Sequence, residues 1–170
     1  MASTRRRPII AGNWKMNTTP DEGSALIEAV CRQATGLDAV DLVLCPPYTG
    51  LHVAVEYLRG SPVNLGAQNM HWKSEGAYTG EISARMLLTA GCTYVILGHS
   101  ERRTILGESD EMVNRKLQKA LATGLIPIVC VGETLEEREA DRTEQVVTVQ
   151  VREGLAGIAV VDLQRIVLAY

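Results

Sequence analysis

The sequence has no phenylalanine and only 4% aromatic residues, which excludes a core built on packed aromatic rings. Val, Ile, Leu and Ala must fill the interior instead, and this composition suits strands that are buried on both faces. No stretch approaches the roughly 18 consecutive apolar residues of a membrane-spanning helix. The basic N-terminus also has no apolar segment typical of a signal peptide. We therefore expect a soluble protein of the cytoplasm.

A strong excess of one charge is also missing. The formal net charge is −3, with acidic and basic residues interspersed, so neither nucleic acid nor an anionic membrane is expected as a partner. The four cysteines lie far apart and form no C-x-x-C pair. We interpret them as reduced thiols that pack like small apolar side chains, with a disulfide framework as the less favoured alternative.

Motifs for cofactors and metals are absent as well. The sequence has no glycine-rich dinucleotide fingerprint, no P-loop and no G-x-S-x-G nucleophile motif. The three histidines, His52, His71 and His99, do not have the spacing of metal ligands, and no carboxylate cluster suits a hard cation. These absences favour a reaction without cofactor or metal.

Six short apolar runs divide the chain and are rich in β-branched residues, which predicts strands rather than core helices. Their apolarity is continuous rather than alternating, so we expect a parallel sheet that is covered on both faces. The predicted strands are Pro8–Ala11, Val40–Cys45, Val63–Ala67, Tyr94–Leu97, Ile126–Val131 and Ile166–Tyr170.

The segments between these runs have helical periodicity, and the fourth has a capping residue at each end, Ser109 and Gly124. Six strands that alternate with five helices predict an α/β fold, and the length predicts a single domain over residues 1–170. One connection, Gln68–Glu81, is long and polar, as functional and interface loops are. The predicted helices are Pro20–Ala34, Thr49–Leu58, Ser83–Ala90, Asp110–Thr123 and Thr143–Gly154.

Candidate binding residues follow the strands, because ligand sites of parallel βα folds lie on the loops after the strands. Asn13 and Lys15 come after the first strand, where a lysine can bind an anionic group and an asparagine can donate a hydrogen bond to it. A solvated lysine on a turn is the simpler interpretation of this segment taken alone.

His99 follows the fourth strand and lies between Gly98 and Ser100. A helix that begins at Ser100 would favour a neutral imidazole, which can donate one N–H to a carbonyl oxygen and so act as an electrophile. The alternatives are a structural histidine, and a solvated cluster of salt bridges formed by Glu101 with the two arginines after it.

Glu133 follows the fifth strand and either reaches a site or caps a helix near Leu135–Glu139, capping being the favoured interpretation. Cys130, inside that strand, is interpreted as a packing residue rather than a nucleophile, because no cationic group is expected beside it.

Five segments resemble the triosephosphate isomerase family in their order and spacing. The likeness extends from about Pro8 to Tyr170, essentially the whole chain, and chance does not explain five segments in register. It implies a (β/α)8 barrel, here incomplete, with about six parallel strands and five helices. The segments are AGNWKMN at 11–17, GAQN at 66–69, GAYTGE at 76–81, YVILGHSERR at 94–103 and CVGET at 130–134.

This resemblance implies the interconversion of dihydroxyacetone phosphate and glyceraldehyde 3-phosphate through an enediol(ate), by a cytoplasmic homodimer of glycolysis and gluconeogenesis that needs no cofactor. Asn13 and Lys15 would contact the substrate, with Lys15 supplying positive charge. His99 would be the electrophile and Ser100 a hydrogen-bonding neighbour of the chemistry. Glu101 would be an acid near Lys15 that orders the site.

The resemblance also assigns roles away from the chemistry. The loop Gln68–Glu81 would be a dimer loop whose tip carries Tyr78, Thr79 and Gly80, with Thr79 reaching toward a partner's active site. Arg102 and Glu108 would form a structural ion pair, and Cys130 would lie beside the site. Leu106 stands where the family usually has an aromatic residue, which we expect to alter packing only.

The family pattern continues past the strand that resembles Ile166–Tyr170 with a glutamate base, a lid that contains Pro-Val-Trp, and glycine-rich phosphate loops. None of these is among the 170 residues, and barrels of this type have about 250 residues. We therefore expect these residues alone to be inactive. The alternatives are a non-catalytic module or a half-barrel that associates with a complementary chain and, least favoured, another phosphate-binding barrel enzyme.

Overall fold

A computed structural model describes residues 6–170, and this part of the chain contains six strands and seven α-helices. The strands are β1 (Ile9–Asn13), β2 (Asp41–Cys45), β3 (Val63–Ala67), β4 (Tyr94–Leu97), β5 (Ile126–Cys130) and β6 (Val167–Ala169). The helices are α1 (Pro20–Ala34), α2 (Leu51–Leu58), α3 (Ala84–Thr89), α4 (Ser100–Leu106), α5 (Asp110–Thr123), α6 (Leu135–Glu139) and α7 (Thr143–Gly154).

The described residues fall into two compact units. The first unit contains the residues up to Gln68 together with Leu88–Tyr94. The second unit contains Asn69–Leu87 and Val95–Tyr170.

The first unit is built on the parallel strands β1, β2 and β3, which are neighbours in that order. Ile9 lies opposite Asp41, and Leu42 lies opposite Val63. The apolar side chains of β2 and β3 are mostly buried, as their continuous apolarity predicts. Full burial of one such side chain stabilises the fold by about 1.5–3 kcal/mol, so the sheet and its covering helices supply this unit's main stabilisation.

Helix α1 begins at Pro20 because Thr19 and Glu22 form a capping box. The Thr19 hydroxyl accepts a hydrogen bond from the backbone N–H of Glu22, and the Glu22 carboxylate accepts one from the backbone N–H of Thr19. Proline at the first helical position loses no hydrogen bond there. The predicted bounds of this helix are confirmed.

The second unit is organised around α5, which packs against β5 and α7. Ser109 caps its start by accepting from Met112 N–H, and Gly124 ends it with φ 92°. Both caps were predicted, and both are confirmed. Strands β5 and β6 pair in parallel, with Ile128 opposite Val167. The buried face of α5 repeats at helical spacing and consists of Val113, Lys116, Leu117, Ala120 and Leu121.

The parallel strands confirm the predicted α/β class, whereas the predicted number of five helices is wrong. The additional helices are α4 and α6, of only 7 and 5 residues, which are too short to show an apolar period. The predicted start of a helix at Thr49 is also wrong, since Tyr48–Gly50 is a 3₁₀ turn that precedes α2. A second 3₁₀ turn, Val160–Arg165, leads into β6. None of the helices within residues 6–170 is both long and apolar enough to span a membrane.

Candidate functional site

The loop after β1 holds Lys15 in an uncommon backbone conformation. Lys15 has φ 55°, in the left-handed region that non-glycine residues rarely adopt. Its N–H donates to the Asn13 side-chain oxygen at 3.0 Å, which closes a tight turn. Such strain persists only where surrounding contacts enforce it, and it is concentrated at functional positions.

Gln68 supplies those contacts from the end of β3. Its side-chain amide donates to the carbonyl oxygen of Lys15 at 2.9 Å and to that of Cys45 at 2.8 Å. The sequence places Gln68 at the start of the long polar loop and in the GAQN segment at 66–69, and predicts no contact with Lys15. A signal was present, because Gln68 directly follows a strand, as Asn13 and Lys15 follow theirs. The structure therefore joins Asn13, Lys15 and Gln68 in one hydrogen-bonded group.

His99 follows β4 and forms the N-cap of α4, which begins at Ser100, as the hypothesis of a neutral imidazole requires. The imidazole Nδ1 accepts a hydrogen bond from the backbone N–H of Glu101 at 3.2 Å. A neutral ring nitrogen that accepts a hydrogen bond carries no proton, so the proton of a neutral His99 lies on Nε2. The side chain is 21% exposed, and Nε2–H is the one ring donor of a neutral His99.

Glu101 and Ser100 occupy the first turn of α4, and both are exposed. The Glu101 carboxylate lies 3.4 Å from the Nδ1 of His99, while its side chain is 46% exposed. A half-exposed pair at this distance contributes little energy. The shorter bond from the Glu101 amide therefore fixes the ring.

Glu133 is not the cap of α6, so the favoured interpretation of this residue is wrong. Thr134 caps that helix in a capping box with Glu137. The Glu133 carboxylate is 3% exposed and accepts hydrogen bonds from Thr143 at 3.0 Å and Tyr170 at 3.1 Å. A hydrogen bond from its own backbone N–H lowers the pKa of Glu133, the Thr143 and Tyr170 hydroxyls lower it further, and burial opposes them.

Cys130 has a cation nearby, contrary to the expectation. The Arg103 guanidinium donates to the Cys130 carbonyl oxygen at 3.3 Å. Burial raises the pKa of the Cys130 thiol, and the charge of Arg103 opposes this shift without reversing it. The thiol therefore stays protonated at neutral pH, in agreement with a packing role. All four cysteines are free thiols.

The predicted ion pair between Arg102 and Glu108 is present, with 3.3 Å between Nε and Oε2. The sequence reading missed its third member, Lys116, whose ammonium is bonded to the Glu108 carboxylate and, at 2.8 Å, to the Asn69 side-chain oxygen. Lys116 is 2% exposed, and burial, followed by the charge of Arg102, lowers its pKa to about 8, against the opposing charge of Glu81. The missed signal was a lysine on the apolar face of α5.

The long loop is ordered by stacked rings. The His71 ring packs on Trp72 with centroids 4.1 Å apart and on Tyr78 at 4.5 Å. Thr79 and Gly80 are exposed, and Gly80 has φ 88°, a value that suits glycine. The dimer role of Tyr78, Thr79 and Gly80 stays a prediction. Among residues 6–170, no three His, Cys, Asp or Glu side chains are grouped so that they could hold a metal ion.

Comparison with known proteins shows that the chain matches one protein family. A family model described as triosephosphate isomerase matches residues 8–170. The triosephosphate isomerases of Dictyoglomus thermophilum and Herpetosiphon aurantiacus are each 52% identical over 165 residues, which is 97% of this chain and 66% of each relative. The chain thus spans slightly less than two thirds of the length of these relatives.

A crystal structure of triosephosphate isomerase from Bartonella henselae is similar with a TM-score of 0.86 at 43% identity. The match covers 97% of this chain and 68% of that one. It confirms the predicted fold class, a (β/α)8 barrel of which these residues carry six strands.

Proposed function

The chain belongs to the triosephosphate isomerase family, and from this we propose that it serves the interconversion of dihydroxyacetone phosphate and glyceraldehyde 3-phosphate through an enediol(ate). One proton moves between adjacent carbons in this reaction, while negative charge develops on the oxygens. The site must therefore supply a hydrogen-bond donor and a cation for those oxygens, and a base for the proton.

The observation that carries this proposal is the hydrogen bond from the Glu101 amide to the Nδ1 of His99 at 3.2 Å. It places the proton of the neutral ring on Nε2, where it can polarise a carbonyl oxygen. A neutral imidazole stabilises a developing oxyanion as a fixed donor, without first having to gain a proton.

Lys15 is the proposed cation and substrate contact, together with Asn13. Its backbone is held by the Asn13 side chain and by Gln68, so the lysine side chain starts from a fixed Cα. Fixing the backbone before the substrate binds removes part of the entropic cost of binding. Ser100 is proposed as a substrate-binding residue and a hydrogen-bonding neighbour of the chemistry. Glu101 is proposed as the acid that orders the site, with its amide setting the ring of His99.

The base, the lid and the glycine-rich phosphate loops of the family have no counterpart in the 170 residues. About a third of each curated relative likewise has no counterpart here, since the match covers 66% of its length. The reaction needs the corresponding part, whether it belongs to this chain or to another. We do not assign the base to Glu133 or Glu101, because both stand at other positions of the family pattern.

The proposal includes a cytoplasmic homodimer that uses no cofactor. The surface proposed for the dimer is the exposed tip of the long loop, which carries Tyr78, Thr79 and Gly80. Tyr78 is 41% exposed although its ring is fixed against His71, and a rigid aromatic side chain of this kind suits an interface.

A polypeptide of these 170 residues alone is proposed to be inactive until a complementary chain supplies the remainder. The apolar side chains of Ile10, Leu168 and Tyr170 are 61%, 49% and 75% exposed, which favours association along β1 and β6. Assaying the polypeptide with and without a chain that carries the remaining third of the family separates the two candidate functions. Turnover by the 170 residues alone would overturn this proposal, and no gain on mixing would contradict complementation.

The main experiment tests His99 in protein made from the full reading frame. We expect His99→Asn to lower kcat by about 10²–10⁴-fold. This is the usual contribution of a side chain that donates a proton, or a hydrogen bond, to the reacting group. His52→Asn, on the exposed face of α2, is the matched control and should leave kcat unchanged. The assignment is wrong if the parent protein has no isomerase turnover, or if the kcat of His99→Asn is within about threefold of the parent kcat.

A further inference from the structure

The guanidinium of Arg103 contacts three separate segments of the second unit. Its Nε donates to the carbonyl oxygen of Gly98 at 2.7 Å, and one terminal nitrogen donates to that of Cys130 at 3.3 Å. The other terminal nitrogen pairs with the Asp110 carboxylate at 2.5 Å. The side chain is only 14% exposed, so this arrangement is largely shielded from water.

Gly98 is the residue that precedes His99, and it has φ 67°. A Cβ at this position would lie 2.8 Å from the side chain of Val113 and 3.0 Å from the guanidinium of Arg103. The chain therefore turns within a confined space after β4. Because a peptide group is planar, the direction of the Gly98 carbonyl also fixes the direction of the His99 amide and its Cα.

His99 is consequently held at two points. Arg103 holds the peptide that leads into it, and the Glu101 amide holds its ring. The bonds from Arg103 are charge-assisted, and such bonds are about twice as strong as those between neutral groups. Asp110, at the start of α5, balances the charge of Arg103 and keeps its guanidinium in one orientation.

We propose that Arg103 is a positioning residue that sets the place and direction of the His99 imidazole by tying the end of β4 to the end of β5 and the start of α5. The inference deepens the proposed function, because it matters for catalysis only if His99 is the electrophile. Arg103 itself touches no reacting atom. A displacement of about 1 Å in a catalytic group can reduce turnover about 10²-fold, so this tie has a kinetic consequence.

The test replaces the guanidinium of Arg103 but keeps its positive charge. In protein made from the full reading frame, Arg103→Lys leaves one ammonium nitrogen that cannot reach all three acceptors. We expect kcat to fall about 10–100-fold while KM changes less than about threefold, since the substrate contacts remain and their alignment does not. In ¹⁵N-edited NMR spectra of the imidazole, the Nε2–H signal of His99 should move or broaden.

Two further variants make the result decisive. Arg152→Lys, on the exposed surface of α7, is the matched control and should change neither kcat nor the His99 signal. Asp110→Asn keeps an oxygen that can accept from Arg103 but removes the charge that pairs with the guanidinium. This weaker anchor should shift the same signal and lower kcat about threefold or more. If Arg103→Lys does not fold, the result for Asp110→Asn decides whether Arg103 positions His99.

The inference is overturned if the folded Arg103→Lys variant, or Asp110→Asn in its place, keeps both the parent kcat and the parent His99 signal. If the parent has no isomerase activity, the proposed function fails on its own. In that case the NMR signal alone still decides whether Arg103 positions the ring.

Discussion

The two units stabilise their loops with different kinds of contact. In the first unit, the described residues contain no buried polar or charged side chain, and two neutral hydrogen bonds from Gln68 help to hold the loop of Lys15. The second unit holds its loops with buried and half-buried charges. The buried polar side chains of residues 6–170 all lie there, and they are Asn69, His71, Ser83, Glu108 and Lys116.

This difference follows from what each loop carries. The Lys15 loop presents an ammonium, and an amide can bind its backbone carbonyl without adding another charge beside it. The His99 turn carries a ring that is fixed through Nδ1, and behind it the Arg103–Asp110 ion pair forms stronger hydrogen bonds than neutral groups can. Loss of a neutral hydrogen-bonding group therefore costs less stability than loss of one partner of a buried ion pair, which leaves an unpaired charge.

The largest effect is expected from Lys116→Met, which leaves the Glu108 carboxylate buried beside the poorly aligned Arg102. Breaking a buried ion pair from one side costs about 3–5 kcal/mol, so the free energy of unfolding in urea should fall by that amount. Lys119→Met on the same helix is the control. Lys119 is bonded to Ser74 near the surface, and its loss should cost no more than about 0.5 kcal/mol.

A double variant sharpens the same comparison. Replacing both ions, as in Lys116→Met with Glu108→Leu, removes the unpaired charge and should recover much of the lost stability. If Lys116→Met unfolds at the same urea concentration as the Lys119 control, the buried charges do not distinguish the second unit.

Gln68→Ala tests the neutral support of the first unit and should have an intermediate effect. Two carbonyl oxygens lose a donor, which costs about 1–3 kcal/mol in the free energy of unfolding. The strained Lys15 backbone should relax, so the KM of the full reading-frame protein should rise more than its kcat falls. Gln33→Ala, exposed on α1, is the control, and an equal response from both variants contradicts the role given to Gln68.

The sequence predicted the strands well because their signal is local. Continuous apolar runs located β3 and β4 to the residue, and the caps predicted at Ser109 and Gly124 agree with the bounds of α5. Helix α6 was named as a helix near Leu135–Glu139 but was not counted among the five predicted helices, because five residues are shorter than two helical turns.

The contacts that support the site were hidden because they join residues far apart in sequence. Gln68 lies 53 residues from Lys15, and Arg103 lies 27 residues from Cys130. Propensity and periodicity describe neighbours along the chain, so neither could pair these residues. Lys116 was hidden for another reason: a charged residue on an apolar helix face has no local sign of the carboxylate that pairs with it.

The smallest effect is expected from Glu133→Gln, which removes a charge from the second unit but keeps an oxygen that can accept from Tyr170 and Thr143. The pKa of Glu133 is lowered below its ordinary value of 4.5, first by the hydrogen bond from its own backbone N–H. The folded carboxylate therefore binds fewer protons than the unfolded one in the range just below pH 4.5. Its stabilising contribution is complete above that pH and is lost as the pH falls through the folded pKa.

A glutamine cannot titrate, so the acid limb of a stability–pH curve should be shallower for Glu133→Gln than for the parent. The two curves should differ most at neutral pH and converge in acid, as followed by urea unfolding at a series of pH values. Glu139→Gln, exposed at the end of α6, is the control and should leave the limb unchanged. Parallel curves for the parent and Glu133→Gln would mean that the charge of the carboxylate adds nothing to the free energy of unfolding beyond its hydrogen bonds. Charge would then stabilise the second unit only at its buried ion pairs.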